Sequence, residues 1–311
     1  MKVKKITAAM LALAVSVTAV SFTAFAAGTK VPITEKYFPD EIFREYVSQF
    51  DTNESGYLSQ KERDAVTEID VCDSEIKSVT GIKYFQNLEK LCCSYNSLTK
   101  LDVSGNIKLE RLYCDYNALT KLDVSRNTKL FKLECNYNKL KRLDVSQNTE
   151  LEMLECSDNQ IANIDISKNL MLETLYCAEN NIKELDVSRN TELKYLSCDA
   201  NELKELDVSK NTKLESLCCE DNKLKSLDVG KNPELRVLSC YNNRLTKLDI
   251  SKNTLLIELR CEKNQLTELD LSQNTNLRGI YCFENNITTL DLSGCTELLL
   301  YKYDENVKII K

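Results

Sequence analysis

Four sets of residues in this chain have the types and spacing to do chemistry. The most specific is DTNESGYLSQKE, Asp51 to Glu62. It follows the D-x-N-x-S-G-x5-E pattern of a helix–loop–helix calcium loop. Asp51, Asn53 and Ser55 would supply side-chain oxygens, Tyr57 its carbonyl, Ser59 a water-mediated contact and Glu62 a bidentate carboxylate. Gly56 permits the sharp turn. With two ligating carboxylates, the expected dissociation constant is about 10⁻⁴–10⁻³ M. The same stretch reads equally well as a metal-free lid.

The second set is fourteen cysteines, ten of which (Cys93, Cys114, Cys135 and on to Cys282) recur every 21 residues. Stacked in register, neighbouring thiols would stand about 4.8 Å apart with parallel Cβ vectors, an arrangement wrong for bridging. They are therefore expected to be reduced and to act as small apolar side chains. Cys72, Cys92, Cys218 and Cys295 lie off this column, with Cys92 and Cys218 expected to be exposed. The third set is an aspartate column, Asp102 to Asp291, mostly followed by V-S-x-N. It is expected to accept turn backbone N–H groups rather than to hold a string of ions. The fourth set is aromatic. Tyr95, Tyr113, Tyr116, Tyr137, Tyr176 and Tyr195, with Tyr241, Tyr281 and Phe283 further along, fall beside or just after the column cysteines, among acids such as Asp115, Glu134 and Glu262. Tyr95, Tyr116 and Tyr137 hold one position in three successive turns and should form a ladder with a spacing of about 5 Å.

What positions these residues is a repeat. LERLYCDYNALTKLDVSRNTK, 109–129, recurs without insertion, and its Leu-Asp step marks every turn from Leu101 to Leu290. A fixed period of this length is the signature of a solenoid. L-x-x-L-x-C-x-x-N-x-L is the leucine-rich repeat with Cys at one Leu position. The fold expected is a leucine-rich repeat solenoid, with a parallel β-sheet on the concave face and a short irregular convex side. Leu109, Leu112, Cys114, Leu119, Leu122 and Val124 point inward. One turn alone buries too little to offset its ordering entropy, so stability comes from stacking on neighbours. The Asn column beginning at Asn96 and running to Asn306 suits the buried turn after each strand.

The chain divides accordingly. Residues 1–26 read as a signal peptide, with Lys2, Lys4 and Lys5 before an apolar run and Ala24-Phe25-Ala26 as the cleavage site. Residues 27–65 form a small N-terminal α-helical cap, in which Ile42, Phe43, Tyr46, Val47 and Phe50 keep 3-4 spacing. Residues 66–87 are a divergent first repeat, 88–297 ten regular repeats, and 298–311 a closing turn. The 311-residue chain has net charge -7 and no His. The acidic balance argues against nucleic acid. After signal removal nothing inserts in a membrane, and no sorting motif or apolar tail predicts a covalent anchor. Without His, the commonest general base is missing. Nor is there a nucleophile elbow, so catalysis is not expected.

The 21-residue repeat with its cysteine ladder, together with FPDEIFREY and KERDAVTEI, resembles the internalin family of bacterial surface proteins. The resemblance spans residues 31–311. It implies recognition of host ligands on the concave face, one family member being associated with adhesion to mucin. The family's cap is generally metal-free, whereas this loop keeps a full calcium pattern. Its contacts vary among members, so no binding residue is implied by name. The expectation is a secreted or surface-associated monomer that binds a protein or glycoprotein. A non-catalytic assembly module is the other reading.

Overall fold

The computed structural model describes residues 30–310, and the signal segment 1–26 lies outside them. Helix α1 (Glu41–Ser48) starts where Asp40 accepts the Phe43 N–H at 3.0 Å, directly after Pro39. Helix α2 (Gln60–Asp64) starts with a capping box, in which Ser59 and Glu62 each bond the other's backbone N–H. Between the helices, Tyr57–Leu58 pairs antiparallel with Val31–Pro32. The second oxygen of Asp40 accepts from Lys77 N at 2.8 Å and Ser78 N at 3.1 Å, tying the cap to the first turn. Phe38, Phe43 and Phe85 are buried at this junction. Gly81 (φ +107°) allows the close approach, since a Cβ there would lie 2.4 Å from the Phe38 ring.

Beyond the cap runs one twelve-stranded parallel sheet, from Glu68–Asp70 to Leu300–Lys302. Each strand is three residues long and in register with its neighbours, as in Leu112↔Leu133 and Leu133↔Leu154. The six inward positions of the regular turns are buried, save Leu292 in the last, which is half-buried, and they form one continuous core. The Asn column closes the turn after the strand. Asn180 Nδ2 donates to the carbonyls of Cys156, Cys177 and Ala178 at 2.9–3.2 Å, while its Oδ1 accepts Ile161 N. Asn306, in the last described turn, is exposed rather than buried.

A second Asn column, Asn106 to Asn274, is wholly buried. Asn169 Nδ2 donates to Val145 O at 3.1 Å and Asn148 O at 2.8 Å, so each member ties two successive turns. The aspartates act as turn locks. Each from Asp102 to Asp291 accepts the backbone N–H two residues on, at 2.8–3.0 Å. The closing turn supplies the last strand of the main sheet and a short strand, Lys308–Ile310, parallel to Thr289–Asp291.

Candidate functional site

Four of the six singled-out tyrosines come together. Tyr95, Tyr113, Tyr116 and Tyr137 line one open cavity of about 360 Å³ at the N-terminal end of the concave face, with Asp115 and Glu134. Tyr95, Tyr116 and Tyr137 are exposed and stacked, with ring centroids 4.4 and 4.0 Å apart and planes tilted by 12°. Their backbone is left-handed, φ +56°, +49° and +52°. That region is uncommon for non-glycine residues, and Asn and Asp enter it more readily than Tyr. Each is held there because its N–H donates to a carbonyl of the next turn, as Tyr95 N does to Asp115 O at 3.0 Å. Tyr113 is half-buried in its strand, with Lys132 Nζ 5.3 Å from its ring centroid and 2.9 Å from Glu134. Tyr176 and Tyr195 sit together two and three strands further on, outside this cavity.

The floor is polar and closed. Asp115 is buried and accepts Asn136 N at 2.7 Å and Ser94 Oγ at 3.1 Å. Burial pushes its carboxyl up to about 6. Beside it lies a disulfide, Cys72–Cys92, with Cα atoms 5.6 Å apart. Cys92, expected to be exposed, is instead half-buried and bridged. Cys92 ends its strand and Cys72 lies just past the end of the neighbouring one, a meeting that a search along the 21-residue column does not reveal. Cys218 is half-buried rather than exposed, and burial pushes its thiol up to about 12. The ten column cysteines are buried and unpaired. Some of their thiols reach a strand carbonyl, Cys114 Sγ donating to Glu134 O at 3.4 Å.

A ladder of buried thiols on a parallel-sheet solenoid is the feature that decides the likeness to known proteins. The functional domain of InlJ from Listeria monocytogenes, which includes a cysteine ladder, superposes with a TM-score of 0.87 and 38% identity, over 92% of this chain and 64% of that one. A stretch of 71 residues is 38% identical to internalin J of Listeria monocytogenes serotype 4b, 22% of this chain and 8% of that protein. The chain therefore spans less than two thirds of either relative. The chain is a bacterial leucine-rich repeat protein resembling internalin J. A second internalin, inlF of the same species, shares the fold at a TM-score of 0.74 and 22% identity, over 91% of this chain and 94% of that one. No family model matches.

This internalin-like solenoid carries a second aromatic group, nearer its C-terminal end. The Arg260 guanidinium lies 5.1 Å from the Tyr241 ring centroid and 5.3 Å from that of Tyr281, and Nη2 donates to buried Glu262 at 3.2 Å. Lys302 Nζ stands 4.0 Å from the Phe283 centroid. The aromatics were legible as concave residues. The cations that cover them come from other turns and were not.

In the internalin-like cap, the loop 51–62 is arranged around its own acids. Glu62 Oε1 accepts from Thr52 N, Thr52 Oγ1 and Asn53 Nδ2 at 2.9–3.1 Å, and Oε2 from Ser59 N and Oγ at 2.8 and 2.7 Å. The Ser59 donors, ahead of those of Thr52, hold the Glu62 carboxyl down at about 2. Asp51 accepts from Ser55 N, Ser55 Oγ and Gly56 N, and the Tyr57 carbonyl accepts from Ser55 Oγ at 3.1 Å. Gly56 takes the positive φ its place requires, +76°. All the residues of the calcium pattern are in place, but the ion would have to compete with the loop's own donors. Glu62 would have to exchange five protein donors for it, and Asn53 presents its NH₂ rather than its oxygen.

Proposed function

We propose that this protein is a secreted or surface-associated adhesion module that binds a protein or glycoprotein on its concave face, centred on Tyr95, Tyr113, Tyr116 and Tyr137. One observation carries the reading. Three exposed tyrosines occupy, in consecutive turns, a backbone conformation that suits them poorly, and they do so over an open cavity. A large aromatic taken three times running at a left-handed site that the repeat imposes in every turn, where nothing in the core needs it, is what a binding surface produces. Rigid, amphipathic Tyr side chains also carry much of the energy at protein interfaces. Catalysis has no comparable support, since the aspartates are engaged as turn locks and Asp115 is buried under backbone donors. Among the described residues, no helix is long and apolar enough to cross a membrane.

The test is a protein and glycan array with the mature chain, followed by a triple Tyr95→Ala, Tyr116→Ala, Tyr137→Ala variant. Loss of about thirtyfold or more in affinity is expected. Unchanged affinity for whatever the array reveals would remove the assignment. The assembly reading is favoured by a different place, the exposed Leu299, Leu300 and Tyr301 on the last strand. Sedimentation across a concentration series separates it from the monomer expected of a stand-alone adhesin.

A further inference from the structure

The tyrosine ladder belongs to a longer column. The residue two after each column cysteine has positive φ from Tyr95 through Tyr116, Tyr137, Asp158 and Glu179 to Glu284. Each of the first five donates its N–H to a carbonyl of the following turn at 3.0 Å, so they project from the same rim in fixed order. Rings stacked turn upon turn have their planes perpendicular to the solenoid axis. One face of each tyrosine is therefore covered by the next ring, and both faces of Tyr116 are. The outer face of Tyr137 looks toward the turn of Asp158. The ladder shows solvent its edges and hydroxyls. A sugar that binds by stacking needs an aromatic face, and of the three stacked rings Tyr95 alone keeps one that neither the ladder nor the turn of Asp158 covers. A polypeptide needs only contact area and hydrogen-bonding groups, which ring edges and phenols supply.

The same rim then turns acidic. Asp158 is half-buried and Glu179 exposed, and neither is in an ion pair among the described residues. The charge of Asp158 holds the Glu179 carboxyl above the ordinary range. The Tyr137 phenol is pushed up to about 12, first by hydrogen bonding with Tyr116 and then by the charge of Asp158. An aromatic ridge that runs directly into two uncompensated carboxylates is complementary to cationic side chains flanked by apolar ones.

We propose that the rim from Tyr95 to Glu179 takes a basic, extended polypeptide segment of a protein partner, with apolar residues across the tyrosine edges and Lys or Arg at Asp158 and Glu179. This rests on the reading of the tyrosine face as the binding site, and the test separates the two. The probes are a synthetic peptide alternating Leu and Lys, its Leu-Glu counterpart, and neutral and sialylated oligosaccharides, each titrated against the mature full chain. The Leu-Lys peptide should bind, and the Leu-Glu peptide should not. An Asp158→Asn, Glu179→Gln variant should lose about tenfold in affinity for the basic peptide. Glu234→Gln with Glu268→Gln, two exposed acids elsewhere on the solenoid, should leave it unchanged. Raised salt should weaken the interaction. Equal loss in both charge variants, or no binding of the basic peptide, would overturn the proposal. If an oligosaccharide binds instead and the triple tyrosine variant abolishes it, the partner class is wrong and the site stands. If the triple variant leaves all binding intact, the site itself is wrong.

Discussion

Two sets of columns run the length of this molecule, and they obey different rules. The buried column cysteine is the same residue in ten successive turns, as is the exposed aspartate that locks each turn. On the rim, three residues beyond each strand, the residues are Tyr, Tyr, Tyr, Asp, Glu, Ala, Asp, Asn, Lys and Glu. The backbone is equally regular in both places, and every one of those rim residues is left-handed. Identical geometry with identical residues marks a packing demand. Identical geometry with changing residues marks a place where the fold is indifferent and another constraint can act.

The comparison is broken most severely if the interior tolerates change. Asn169 is fully buried, and its Nδ2 gives a second hydrogen bond to the carbonyls of Val145 and Asn148, which also accept Asn148 N and Leu151 N. Asn169→Ala removes two buried hydrogen bonds, at about 0.5–1.5 kcal/mol each, and leaves a cavity between turns. Urea unfolding should show a loss of about 2–4 kcal/mol, among the largest for any single substitution. A loss below about 1 kcal/mol would mean the column is ornamental.

The cysteine column should respond next. Cys177→Ser puts a more polar group into a fully buried site, at about 1–3 kcal/mol. Cys218→Ser, half-buried on the concave side, should cost less. Thiol titration of the denatured, unreduced chain should find twelve free thiols, with Cys72 and Cys92 paired.

These cases also show what could be read before the structure. The 21-residue period reveals whatever happens in every turn, so the solenoid, the buried column and the aspartate locks were legible. Events that happen once are invisible to a period. Cys72–Cys92 joins two different positions of the repeat, and Arg260 is clamped by tyrosines from the turns on either side. The second Asn column was visible as a letter of the motif. Its role was not, because its partners lie 21 and 24 residues back in sequence. The tyrosine ladder was anticipated by spacing, while the orientation of its rings was not, since that depends on a left-handed backbone.

The cap sits between the two regimes, buried yet unrepeated. Glu62 has a folded-state pKa of about 2, below its ordinary 4.5. Its contribution is therefore complete above about pH 4.5 and is lost as the pH falls toward 2. Glu62→Gln keeps the shape but not the charge. It should lower the melting temperature at pH 7 and flatten the acid limb of the stability profile. An unchanged acid limb would show that other carboxylates govern it. Calcium should have a smaller effect, because it must compete with five donors. We expect a dissociation constant of about 1 mM, so 1 mM calcium would add about 0.4 kcal/mol. A shift of several kcal/mol would mean that the loop rearranges around the ion.

The smallest expected effect is on the rim, and it sharpens the comparison most. Tyr116 stacks on both sides, at 4.4 and 4.0 Å. Losing those contacts costs about 0.5–1.5 kcal/mol for each aromatic pair in ordinary settings, and less where the rings are exposed. The backbone there is left-handed, φ +49°, which disfavours Tyr by about 1–2 kcal/mol relative to a residue at ease in that region. Tyr116→Asn removes the stack and relieves part of that strain, since Asn bonds locally and enters the left-handed region readily. The two changes nearly cancel, and the folded state should move by no more than about 1 kcal/mol. Tyr116→Val loses the same rings and adds a β-branched side chain where one fits worst, so it should be the less stable of the pair. Ligand binding should fall in both, by the same factor. If the Asn variant is instead as unstable as Cys177→Ser, the rim is part of the frame. The run of three tyrosines then needs no ligand to explain it.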